Sequence, residues 1–210
     1  MKPYYEHAGI TIYHGDCREV LPVLPFLDAI VTDPVWPNAT ADIPGKEDPF
    51  GLLSVALASV GECNRIVLQF GCDSDPRILS AVPERWPFIR ACWMDMARPH
   101  YKGFILAGSE LAYVFGEIPE RQGWTVLPGM CRSSSSAGRF PGHPCPRKLE
   151  HMQWLVRYYC QGLSCDPFCG SGTTLEAAKL LGVPMIGIEI EERYCEIAAK
   201  RLSQEVFDFA

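Results

Sequence analysis

The chain has 210 residues, 48% of them hydrophobic, and a formal net charge of −6, which fits a single α/β domain over 1–210 and leaves too little for two domains of ordinary size. The acid excess excludes a protein that coats nucleic acid by general basicity, since non-specific affinity for DNA comes from phosphate neutralisation. No apolar run reaches the length of a membrane span or follows a basic leader, so a cytoplasmic protein without a membrane partner is expected.

From the start of the chain, Ile10-Thr11-Ile12-Tyr13 alternates as a strand and stops at His14-Gly15-Asp16, which sets a carboxylate at a sheet edge. Cys17 to Leu24 has the room for a short helix before Pro25. Ala29-Ile30-Val31 is a compact apolar run of the kind found in central strands, and it leads straight into Thr32-Asp33-Pro34-Val35-Trp36-Pro37-Asn38. Ala39 to Asp48, polar and glycine-bearing, reads as a lid loop beside that segment.

Phe50 to Val60 returns to helical spacing, Ile66 to Phe70 is a buried strand ending at Gly71, and Asp75-Pro76 opens a short helix to Val82. Phe88 to Trp93 is a strand, and Glu110 to Phe115 is expected as a strand at the far edge of the sheet. Trp86, Trp93 and Trp124 are expected in the core or at an interface. From Arg121 to Lys148 the chain holds Arg121, Arg132, Arg139, Arg147 and Lys148 with only Glu120 adjoining, a local basic stretch in an acidic protein. Its part from Gly129 to Pro146 is long and irregular, a pattern that in compact domains serves a function or stays disordered. An amphipathic helix follows from Leu149 to Tyr159.

The stretch from Leu163 to Leu202 organises the rest, because it reads without a break as strand, glycine turn, helix, strand, helix. Leu163-Ser164-Cys165 leads into Asp166-Pro167; Phe168 to Thr173 must form a tight turn that exposes bare backbone; Thr173 or Thr174 is expected to cap a helix that Gly182 and Pro184 end. Met185 to Ile190 is a second strand carrying Glu189, an acid about 20 residues past the glycines, where nucleotide-type folds bind ribose hydroxyls. The turn lacks the third glycine of a dinucleotide fingerprint and the lysine of a phosphate loop. Ten cysteines are scattered without a CxxC pair, and the tightest cluster, Cys160, Cys165 and Cys169, has no second pair at ligand spacing, so reduced thiols and no metal site are expected.

The run DPFCGSGTT from Asp166 to Thr174 closely resembles the S-adenosyl-L-methionine loop of the DNA amino-methyltransferases, and Asp33-Pro34-Val35-Trp36 resembles their Asp-Pro-Pro-Tyr motif, with valine for the second proline and tryptophan for tyrosine. His143-Pro144-Cys145-Pro146-Arg147-Lys148 is similar to their His-Pro-x-x-Lys-Pro element, with Arg147 where a lysine is usual. The reacting-centre motif comes first and the cofactor loop last, an order similar to that of the β group. The resemblance implies a Rossmann-like α/β fold with a mostly parallel sheet and circularly rearranged motif order. It implies methyl transfer from S-adenosyl-L-methionine to the N6 amine of adenine in double-stranded DNA. N4 of cytosine is the alternative, and a weak or inactive binding protein on the same fold is the rival that Val35 permits.

Within that resemblance Asp33, Pro34 and Trp36 are the catalytic residues. An exocyclic amine is a poor nucleophile because its lone pair is delocalised into the ring. Asp33 and the Pro34 carbonyl can accept its two hydrogens, and Trp36 offers a face for a base swung out of the duplex. Cofactor contacts are expected from Asp16, Asp33, Arg147, Asp166, Phe168, Gly170, Gly172, Thr173 and Glu189. DNA contacts are expected from Arg121, Arg132 and Arg139, in a short target-recognition-like insertion around 117–146. An insertion this short calls for loose sequence specificity or for help from a second subunit in a homodimer.

Overall fold

The computed structural model describes residues 1–39, 42–121, 123, 126–133 and 147–204. In chain order its elements are β1 (Tyr5–His7), β2 (Ile10–His14), α1 (Cys17–Val20), β3 (Leu27–Thr32), α2 (Pro49–Ala58), β4 (Cys63–Gly71), β5 (Phe88–Lys102), β6 (Ile105–Gly116), β7 (Met130–Arg132), α3 (Leu149–Tyr159), β8 (Ser164–Asp166), α4 (Thr173–Leu181), β9 (Met185–Glu189) and α5 (Glu192–Ser203). Single 3₁₀ segments cover Leu21–Val23 and Pro76–Ala81. The described strands form one sheet in the order β1-β2-β9-β8-β3-β4-β6-β5-β7. From β2 through β4 every pairing is parallel, and the antiparallel contacts are β1 on β2 and β6 on both β4 and β5.

The apolar run of β3 is buried at all six positions because it lies inside the sheet with a layer of helices on each face. Alternation divides it: Ala29 and Val31 join one core with Met152, Leu155, Leu175 and Ala198 of α3, α4 and α5, while Ile30 joins the other with Leu53 and Leu57 of α2. The βαβ unit β8-α4-β9 runs outward to one side of β8, and β3-α2-β4 runs outward to the other side of β3, with their helices on opposite faces. The junction of β8 and β3 is therefore where the winding reverses, and in open α/β sheets that crevice, at the carboxyl ends of the strands, is where ligands bind.

Two expectations need correction. Glu110–Phe115 is not an edge: β6 lies between β4 and β5, and the edge beyond them is β7, a three-residue strand inside the segment read as irregular. Periodicity reports a buried strand but not which strands flank it. Neither Thr173 nor Thr174 caps α4. Gly172 occupies the cap with φ +80, and a Cβ there would stand 2.9 Å from the Cβ of Ala198, so backbone conformation and the closeness of α5 both demand glycine. Of the tryptophans expected in the core or at an interface, Trp86 is buried and donates from Nε1 to the Cys63 carbonyl at 2.8 Å, Trp93 is half exposed on β5, and Trp124 lies outside the described residues. Among the described cysteines all are free, and all but Cys63 and Cys72 are buried.

The end of the sheet away from the crevice is tied by a buried ion pair. Arg65 Nη1 donates to both oxygens of Asp28 at 3.0 and 2.9 Å and to the Tyr159 carbonyl at 3.1 Å, and its Nε donates to the Glu117 carbonyl at 3.2 Å. It joins β3 and β4 to the C-terminus of α3, with Arg65 3% exposed.

Candidate active site

Because β2, β3, β8 and β9 are parallel, the acids at or just past their C-terminal ends, Asp16, Asp33, Asp166 and Glu189, are delivered to one edge of the sheet. A cavity of about 1220 Å³ opens there, and Asp16, Asp33, Pro34, Trp36, Arg147, Phe168, Gly170 and Glu189 line it. Ile43, Pro44 and Gly45, in the segment read as a lid, line it as well, while Thr40 and Ala41 lie outside the described residues.

One half of the cavity is built on the glycine turn. Glu189 Oε2 accepts from the Gly170 amide at 2.9 Å and Oε1 from the Glu191 amide at 2.8 Å, which fixes the carboxylate at the mouth of the turn. Burial raises its pKa. Each oxygen keeps a lone pair for a hydroxyl donor. Phe168, Ile190 and Tyr194 supply apolar wall beside it. Asp16 sits at the rim, where it caps α1 by accepting from the Arg18 amide at 2.9 Å. Its hydrogen bonds from the Arg18 side chain hold the carboxyl below the usual range.

Asp166, Gly172 and Thr173, expected among the cofactor contacts, stand behind the wall rather than in it. Asp166 Oδ1 accepts from Thr32 Oγ1 at 2.6 Å and from the Phe168 amide at 3.1 Å, so it pins the start of the turn to the end of β3. Thr173 Oγ1 accepts from Arg201 Nη1 at 2.9 Å, tying α4 to α5.

Burial pushes the Asp166 pKa up to about 6. The folded protein then holds this proton more tightly than the unfolded chain, so stability falls as pH rises from about 4 to about 6 and is flat above. At pH 7 the ionised group costs on the order of 2–3 kcal/mol. Asp166→Asn keeps an acceptor for Thr32 and Phe168 without the charge. Its urea midpoint is expected above that of the parent at pH 7, with the gap closing by pH 4; equal midpoints at pH 7 would contradict this.

The other half of the cavity is built on the Asp33 segment. Trp36 Nε1 donates to Asp33 Oδ1 at 2.6 Å, and Arg147 Nε pairs with Asp33 Oδ2. The guanidinium lies 4.0 Å over the Trp36 ring, and its Nη1 donates to Glu110 Oε1 at 3.0 Å. Trp36 in turn rests on Gly71, where a Cβ would meet the ring at 2.7 Å. Burial raises the pKa of Asp33, against the pull of Arg147. Arg147, expected from the resemblance at the methionine end of a cofactor, is engaged here with the reacting-centre motif.

Sequence reading missed the support behind Arg147. Glu110, read as scaffold, is buried and accepts from Gln69 Nε2, and His151 Nδ1 lies 3.4 Å from it while His151 Nε2 donates to the Asp95 carbonyl at 3.0 Å. Burial alone would raise the Glu110 pKa, but the bond to His151 and the charge of Arg147 outweigh it and leave the carboxyl below its usual range. The available signal was a lone acid inside the apolar strand LAGSELAYVF, which a buried position tolerates only with partners. Of the residues expected on DNA, Arg121 and Arg132 are exposed and outside the cavity, and Arg139 lies outside the described residues, as do His143 to Pro146.

Similarity to known proteins agrees with this geometry. A family model described as DNA methylase, of the N6/N4 type, matches residues 111–200. The Type II methyltransferase M2.DpnII of Streptococcus pneumoniae is 58% identical over 40 residues, 19% of this chain and 15% of that protein. With the first curated relatives the matched stretch spans only 11 to 15% of their length. The crystal structure of the M1.HpyAVI–SAM complex superposes with a TM-score of 0.70 at 22% identity, covering 93% of this chain and all of that one. The PvuII DNA methyltransferase, cytosine-N4-specific, superposes with a TM-score of 0.74 at 15% identity, covering all of this chain and 91% of that one. The DPFCGSGTT turn lies within the matched stretch, and the Asp33 motif stands at the end of the adjoining strand.

Proposed function

We propose that the protein transfers a methyl group from S-adenosyl-L-methionine to the N6 amine of adenine in double-stranded DNA. The observation that carries this reading is the meeting, in one cavity at the reversal of winding, of an acceptor-plus-aromatic pair on β3 and a glycine turn with a fixed acid on β8 and β9. The donor set suits the cofactor: Glu189 has acceptor capacity for two ribose hydroxyls, and Phe168, Ile190 and Tyr194 give apolar faces for an adenine ring. When bound, the cofactor supplies an electrophilic methyl on a sulfonium.

The chain's own residues do the remainder. Asp33 accepts one hydrogen of the target amine and the Pro34 carbonyl a second, which disfavours the planar, conjugated nitrogen. The face of Trp36 holds the extruded base, at about 1–3 kcal/mol for stacking. Arg147 must leave Asp33 and Trp36 for this to happen, and Glu110 remains as its anchor. The acid before Pro34 favours adenine. The insertion over 117–146, with Arg121 and Arg132, is the part suited to the flanking duplex, and a second copy of the chain would extend that reach.

Incubation with labelled S-adenosyl-L-methionine and plasmid DNA, followed by digestion to nucleosides, should yield N6-methyladenine. N4-methylcytosine instead would move the substrate to the other amine. No label in DNA, from protein that binds the cofactor, would refute the activity.

A further inference from the structure

The hairpin of β5 and β6 outgrows the sheet that carries it. Glu110 of β6 pairs with Gly71, the last residue of β4, and Asp95 of β5 pairs with Arg132, the last residue of β7. Beyond Asp95 and Ser109 the two strands pair only with each other among the described residues, out to Lys102 and Ile105. At about 3.4 Å per residue this ribbon rises about 15 Å past the C-terminal ends of the parallel strands. That is the same edge as the candidate active site, and Met96, Ala107 and Ser109 at the ribbon's base line its cavity.

Its surface presents large apolar side chains to water. Tyr101 is 73% exposed, Leu106 53%, and Phe104, beside Gly103 at the tip with φ +59, is fully in water. Between Asp95 and Glu110 the sequence has Arg98, His100 and Lys102 and no acid, in a chain of net charge −6. A two-stranded hairpin with no apolar partner is marginal in water, and exposed aromatics at its tip contribute nothing to the core. The major groove of B-DNA admits a two-stranded ribbon, and phosphates attract a cationic, acid-free one.

We propose that the β5–β6 ribbon is a DNA-binding arm that enters a groove of the duplex beside the base presented to Asp33 and Trp36, with Phe104 leading. It adds a binding surface separate from Arg121 and Arg132, and it rests on DNA being the substrate. The register shift between Asp95 and His100, which contains Pro99, gives the ribbon an irregular base that can re-aim it over the cavity.

The test uses the full chain with two variants, Phe104→Ser with Tyr101→Ser, and Arg98→Glu with Lys102→Glu. Duplex binding by fluorescence anisotropy at several salt concentrations, methylation rate, cofactor affinity and thermal unfolding are read for each. The expected result is at least a tenfold weaker duplex affinity in both variants, and for the charge reversal a salt slope shallower by about 0.9 for each phosphate left without its cation. Cofactor affinity and unfolding temperature should stay at parental values, because both cores are built from other residues. If the parent methylates DNA and both variants bind and methylate equally well, the arm is refuted and the activity stands. If the parent binds duplex without methylating it and the variants lose binding, the arm stands and the activity falls. If the parent ignores duplex DNA, both are overturned.

Discussion

Asp33→Ala is expected to lower methyl transfer by about 100- to 10 000-fold, the range for removing a group that handles a proton or hydrogen bond at the reacting atom. Cofactor affinity should stay within a few-fold, because Glu189 and the Gly170 turn stand apart from Asp33, and the loss falls on the transition state. Stability should not fall with activity. Burial outweighs the pull of Arg147 and raises the Asp33 pKa, so the ionised group is a net burden on the fold, and Asp33→Asn should be neutral or stabilising at pH 7. Asparagine keeps an acceptor oxygen but forgoes a charged hydrogen bond about twice as strong as a neutral one, so severe rather than total loss is expected. A protonated Asp33 accepts poorly, so the rate in the parent should decline as pH falls through that raised pKa. Full turnover in Asp33→Ala, measured by single-turnover kinetics with saturating cofactor, would remove Asp33 from the chemistry.

The largest effect on stability should come from the opposite end of the sheet. Arg65→Ala leaves the Asp28 carboxylate buried without its cation and strips the Tyr159 and Glu117 carbonyls of a donor. Breaking a buried pair from one side costs about 3–5 kcal/mol, a large share of a domain's total stability. Replacing both partners, as Arg65→Met with Asp28→Asn, should restore most of it. Urea denaturation of the three proteins decides the matter: equal midpoints for Arg65→Ala and parent would show that the pair carries no such weight. The site lies at the other edge, so whatever Arg65→Ala still folds should bind cofactor normally.

Local grammar made much of this protein readable. The βαβ unit from Leu163, the helix Leu149–Tyr159 and the strand before Asp33 are specified by residues within a few positions of one another, and the structure has each of them. What sequence did not disclose depends on partners far along the chain. The place of β6 inside the sheet rests on pairing with residues some 45 positions earlier, as in Leu111 with Phe70 and Leu68 with Tyr113. The Thr173 cap was displaced by the packing of α5, which appears only once Ala198 is brought against Gly172. Arg147 reads as one of several cations in a basic stretch and, from the resemblance, as a cofactor contact; its partners at positions 33 and 110 are invisible until the sheet assembles. The membrane question rests on the described residues alone, where no helix is long and apolar enough to cross a bilayer.

The guanidinium over Trp36 carries one more consequence. A planar group that stacks on the ring and donates N–H to Asp33 presents the same two features as a base with an exocyclic amine, so under the proposed activity the resting site already holds a counterfeit of the substrate. Any newcomer must first evict it, giving up a cation–aromatic contact of about 0.5–2 kcal/mol and a charged hydrogen bond. A loose nucleoside brings nothing beyond the ring to offset that. A base attached to a duplex brings its backbone, and binding energy collected along the phosphates can be applied to the eviction. Under the proposed activity, free purines and small amines are thus screened out by a toll set inside the protein, before any discrimination between sequences begins.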